Sequence, residues 1–154
     1  TRAVAEAILE VMPTGTAIVP VQNAPDPADY DFVALGFWVH RSKPDPRMCR
    51  YMERVHGKTV AWFGTMAAWP DSDSARQVRA NADALLAGNR LAGGFLCQGR
   101  LTDKRFAAIM DPIRSTSRHP MTEERRARLL EAAKHPNEQD FAAARAMFQE
   151  FLKR

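Results

Sequence analysis

Cysteine is scarce in this 154-residue chain: Cys49 and Cys97 stand far apart, with no CxxC pair. That excludes a disulfide scaffold and reads as two separate thiols in a reducing compartment, which places the protein in the cytoplasm. No apolar run approaches the roughly 18 residues that a helix needs to cross a bilayer, so a helical membrane span is excluded. The chain opens on Thr1 and shows no signal-peptide layout. Its histidines, His40, His56, His119 and His135, lack the HxxxH or HExxH spacing of a metal site. There is no GxSxG elbow, no GxGxxG and no Walker loop; Ser72 and Ser74 fall in a helix start instead. Cys97, at a strand end, reads as a buried thiol, with a nucleophile as the alternative. With no constellation of reacting side chains, any redox chemistry must be carried by a cofactor.

What is present suits one globular domain over 1–154. Apolar residues make up 45% and charged residues 26%, and no linker or repeat divides the chain. The formal charge is +4, and the excess lies in the C-terminal half, where residues 78–154 carry 14 Lys/Arg against 9 Asp/Glu. A basic stripe steers anionic partners; the plainer reading is a solvated, mildly basic surface. Nucleic acid is not an expected partner. The basic window 90–128 holds only Phe95 and Phe106 as aromatics, and both read as core rather than as stacking platforms.

The hydrophobic pattern alternates between periods. Thr1 caps a helix that runs to about Met12, with Val4, Ile8, Val11 and Met12 on one face. Residues 17–21 (AIVPV) read as an edge strand because of Pro20. Residues 31–37 (DFVALGF), 59–64 (TVAWFG) and 92–97 (AGGFLC) read as strands buried on both faces. Helices are expected from about Pro46 to Val55, from the Asp71–Ser72–Asp73 cap to Ala87, and over 102–110 and 138–152. A further helix over 122–133 opens on a capping box at Thr122. Strands alternating with helices give an α/β layer fold with a mostly parallel sheet.

In such sheets ligands gather beyond the carboxyl ends of the strands. The segment Trp38–Val39–His40–Arg41 follows one strand, and Thr65–Met66–Ala67–Ala68–Trp69 follows the next. Two tryptophans on one edge suit a planar heterocycle between them, and the amides of Thr65, Met66 and Ala67 suit its polar rim. The alternatives are a strand-end core residue for Trp38, a loop plug beside Pro70 for Trp69 and an ordinary turn for the amides. Trp62, in mid-strand, reads as core.

The blocks YDFVALGFWVHR (30–41), VAWFGTMAAWPDS (60–72), GFLCQGR (94–100), HPMTEERRAR (119–128) and KHPNEQD (134–140), in that order, resemble a basic branch of the flavodoxin-like family. Thr1–Arg2 and the helix after them resemble the end of the family's phosphate loop. The resemblance implies a flavodoxin-like three-layer sandwich, a parallel sheet of order 2-1-3-4-5 that binds FMN, with the first strand missing from this chain. It implies that a segment ahead of Thr1 supplies that strand, between 17–21 and 31–37, so those two runs do not pair directly. It assigns the phosphate to Thr1 and Arg2 at the helix N-terminus, and the ring to Phe37, Trp38, Val39, His40 and Arg41 on one side and Thr65, Met66, Ala67 and Trp69 on the other. A protonated His40 beside N1 of a reduced, anionic flavin would raise its potential.

The function so implied is a bacterial FMN-dependent electron carrier passing electrons to a redox partner protein with an acidic docking face. Two alternatives stand beside it. One is a flavin-dependent reductase acting on a quinone or a tetrapyrrole such as bilirubin, with Trp69 and the basic run Arg114–Arg118 suiting a propionate-bearing ring. The other is an FMN-free binding module that uses 112–137 as its interaction surface.

Overall fold

A computed structural model describes residues 1–111 and 121–153. The sheet is built from β1 (Phe32–His40), β2 (Lys43–Pro44), β3 (Thr59–Met66) and β4 (Arg90–Gln98), in the order β2-β1-β3-β4. β1, β3 and β4 are parallel; β2 folds back antiparallel on β1, with Val39 opposite Pro44 and His40 opposite Lys43. Six helices are described: α1 (Arg2–Leu9), α2 (Pro46–Met52), α3 (Asp73–Leu85), α4 (Asp103–Met110), α5 (Glu123–Ala132) and α6 (Glu138–Phe151). This is the α/β layer fold that the alternating pattern predicts.

The central strand β3 is buried at every position after Thr59, because helices cover both faces of the sheet. On one face Val4 and Ile8 of α1 and Ala144, Phe148 and Phe151 of α6 pack on Ala61, Phe63, Phe95 and Cys97. On the other, Met48 and Met52 of α2 and Val78 and Ala82 of α3 pack on Leu35, Phe37, Val60, Trp62 and Leu96. Glycine alternates with aromatic residues between neighbouring strands. Phe63 lies over Gly36, Phe37 over Gly64 and Trp62 over Gly94, each so close that a Cβ on the glycine would collide with the ring. Backbone and ring therefore approach as only glycine permits.

The helix starts follow from their caps. Asp45 accepts from the amides of Arg47 and Met48 ahead of Pro46, Ser72 accepts from Ala75 and Thr102 accepts from Arg105. Thr122 caps α5 through the Arg125 amide, but Arg125 cannot return a bond as a carboxylate would. The capping box forms instead at α6, between Asn137 and Asp140.

Three further expectations change. Residues 17–21 do not form a strand: Ala17–Pro20 is exposed and a 3-10 turn begins at Val21. A β-branched run becomes a strand only where an edge receives it, and no pairing joins it to β1. The strand expected to stop at Phe37 runs on to His40, because the return strand β2 extends the ladder. α1 ends at Leu9, and Val11 and Met12 continue it only as turns. The basic run Arg114–Arg118 lies outside the described residues, as does part of 112–137.

Candidate functional site

The carboxyl ends of β1 and β3 meet the start of α1. Parallel register sets Trp38 beside Thr65. Thr1 turns its hydroxyl to both strands: it lies 2.7 Å from Thr65 Oγ1 and donates to the Phe37 carbonyl at 3.5 Å. A threonine at a helix start ordinarily accepts from an amide of the first turn. Here it does not, so among the described residues no side chain caps α1, and no acidic residue lies in its first turn. The helix thus keeps unpaired amides and the positive end of its dipole, the combination that takes an anion.

This helix start forms one wall of a cleft of about 570 Å³. Thr65, Gly99, Arg100 and the segment Ala133–Pro136 complete it. Gly99 keeps the cleft open beside Thr65, since a Cβ there would stand 2.9 Å from Thr65 Cβ. Arg2 and Lys134 are tethered to Glu6 and Glu131, at 2.9 Å and 2.6 Å. Arg100 has no ion-pair partner among the described residues. His135 sits at the rim, its Nδ1 2.6 Å from the Asp140 carboxylate, so that its ring is held by the same residue that closes the capping box. Sequence reasoning missed Arg100, Lys134 and His135, which reach the cleft only through the packing of β4 and the approach to α6.

The two expected tryptophans stand at the same sheet edge with their rings in reach of solvent. Trp38 is 49% exposed and Trp69 38%, whereas Trp62 is 1% exposed. Trp38 meets the His40 ring edge-on, with centroids 5.4 Å apart. Trp69 tops the turn that starts α3, where its carbonyl accepts from the Ser72 amide and hydroxyl. The amides of Ala67 and Ala68 find no hydrogen-bond partner among the described residues. Phe37, Val39 and Met66 send their side chains toward the α2–α3 core and bring only backbone to the edge. Arg41 is exposed in the turn between β1 and β2.

Below the edge, Cys97 is 2% exposed. Burial pushes its thiol up to about 12, and the Asp140 carboxylate adds to the rise. A thiol held protonated in this way is no nucleophile at neutral pH. No group of three or more His, Cys, Asp and Glu side chains among the described residues could hold a metal ion, and no described helix is long and apolar enough to cross a membrane.

Comparison with known proteins bears on this arrangement. The chain is 26% identical over 120 residues to the flavodoxin-like domain-containing protein BilS of Clostridioides difficile, an alignment that covers 77% of this chain and 68% of the relative. The flavodoxin domain model matches residues 1–149. That span takes in the whole sheet, the bare start of α1 and both tryptophan segments, and the chain belongs to the flavodoxin domain family.

Proposed function

We propose that this domain binds FMN at the carboxyl edge of its sheet and carries electrons to and from a redox partner protein. The observation that carries the reading is the uncapped start of α1, with the Thr1 hydroxyl drawn to Thr65, beside two exposed indoles at the same edge. The residues fit the group. Thr1, Arg2 and the first-turn amides suit its phosphate. Trp38, His40 and Arg41 suit one side of its ring and Thr65–Trp69 the other, with the free amides of Ala67 and Ala68 toward its polar rim. Once bound, the flavin would supply one- and two-electron transfer. The protein's own part is to bind, orient and shield. The indoles of Trp38 and Trp69 would flank the ring and shield it in part, and the dipole of α1 would favour the anion. A basic surface, with Arg41, Lys43 and Arg100 exposed, favours a partner with an acidic docking face.

Titration of the full-length native protein with FMN and with riboflavin, followed by flavin emission, tests this. FMN should bind at least about tenfold tighter, since riboflavin lacks the anion that the helix start receives. Equal affinity removes the phosphate assignment, and no binding of either removes the flavin. Electron delivery from the reduced, loaded protein to bilirubin or a quinone without a partner protein would favour a reductase over a carrier.

A further inference from the structure

The turn between β1 and β2 holds two consecutive residues in the left-handed region, Arg41 at φ 50° and Ser42 at φ 60°. A two-residue hairpin loop of this hand fits the twist of its strands, but it favours Asn-Gly; a side chain with an ordinary Cβ is strained at both positions. Such a conformation persists only where the surroundings impose it. Two anchors do so here. Downstream, Pro44 is fully buried, its carbonyl receives the Cys49 thiol at 3.1 Å, and Asp45 caps α2. At the turn itself, Asn81 of α3 donates its side-chain amide to the Ser42 carbonyl at 2.7 Å. Asn81 is itself oriented from the preceding turn of α3, where Gln77 donates to its side-chain oxygen at 3.1 Å.

From this geometry we infer that Asn81 is a positioning residue for the ring site: by holding the strained Arg41–Ser42 turn it fixes where the Trp38–Arg41 wall stands. The inference rests on the flavin reading given above. The hydrogen bonds of the Asn81 side chain go to Gln77 and Ser42, not to a residue assigned to the ring. It acts through one backbone carbonyl, at the end of a strand whose outer side carries only the two residues of β2. Without that bond the turn can relax to torsions that its side chains prefer, and the half-buried His40 and exposed Trp38 would shift with it.

The test compares the wild-type protein, Asn81→Ala and the double variant Asn81→Ala/Ser42→Gly. Amide hydrogen exchange and FMN titration are run on each. In Asn81→Ala, exchange in 38–43 should rise about tenfold, the weight of one lost neutral hydrogen bond, while β3 and β4 exchange as before. The FMN dissociation constant should rise by about the same factor. Ser42→Gly, which accepts a positive φ without strain, should restore both in the double variant. Unchanged exchange at the turn overturns the inference, as does faster exchange across the whole sheet, a loosened turn with unaltered FMN affinity, or failure of Ser42→Gly to rescue. Should the wild-type protein bind no FMN, the flavin reading falls by itself, and the exchange comparison still decides whether Asn81 holds the turn.

Discussion

Gly94→Ala tests the packing that carries the site. A Cβ on Gly94 would stand 2.7 Å from Trp62 Cδ2, with two further ring carbons nearer still. Carbon atoms rest about 3.5–4.0 Å apart, so either the indole or β4 must move by about 1.5 Å. The indole has nowhere easy to go. Phe37 packs against it at 5.5 Å, Asp83 accepts from its Nε1 at 2.8 Å, and the Arg79 guanidinium lies 6.0 Å from its ring centre. Overpacking of this kind costs about 1–3 kcal/mol, and losing the Asp83 bond adds about 1 kcal/mol. We expect Gly94→Ala to lower the unfolding free energy by about 2–4 kcal/mol, read by urea denaturation followed by far-UV circular dichroism. Trp62→Ala removes the ring that collides, so in that background Gly94→Ala should cost less than about 1 kcal/mol. Additivity of the two substitutions to within about 0.5 kcal/mol would refute the argument.

Three further outcomes follow from other contacts. The unfolded thiol of Cys97 ionises around its ordinary value of 9.0, whereas burial in the folded protein keeps the proton on up to about 12. The unfolded state therefore binds fewer protons between those values, and stability falls there by up to about 1.4 kcal/mol per pH unit. Urea midpoints measured on both sides of pH 9 should show a shallower fall in Cys97→Ala. Asn137→Ala removes the acceptor for the amides of Gln139 and Asp140 and half of the capping box, and should cost about 1 kcal/mol in thermal unfolding. Thr65→Val keeps the shape of a buried side chain but removes the partner of the Thr1 hydroxyl; FMN affinity should drop severalfold with a stability loss of about 1 kcal/mol, and unaltered affinity would detach Thr1 from the site.

The sequence was most legible where burial is two-sided. The runs at 31–37, 59–64 and 92–97 are apolar without alternation, and each became a parallel strand in the expected neighbour order. The run 17–21 has the same β-branched chemistry, yet its pattern says nothing about whether an edge awaits it, and Ala17–Pro20 stays exposed while Val21 opens a 3-10 turn and packs against the core. The prolongation of β1 to His40 was hidden because β2 is two residues long and contains Pro44, a residue that signals a loop. The site divides in the same way. Trp38, Thr65 and Trp69 could be gathered from the rule that parallel strands open at their carboxyl ends, and Thr1 only from its resemblance to the end of a phosphate loop. Arg100 follows the carboxyl end of β4 and lay within reach of the same rule, but Lys134 and the Asn81–Ser42 bond did not, because each depends on elements brought together only by the packed sheet.

The three tryptophans also divide the protein optically. Trp62 is sealed beneath α3, while Trp38 and Trp69 stand in solvent at one edge. A dissolved iodide ion reaches the two outer indoles and not the inner one. Quenchable emission therefore reports on the edge, and the residual emission reports on the core. A flat ring settling against the edge should shield the two outer indoles from iodide, and melting of the sheet should merge the two fractions. One cuvette can thus tell occupancy from unfolding without any label being added.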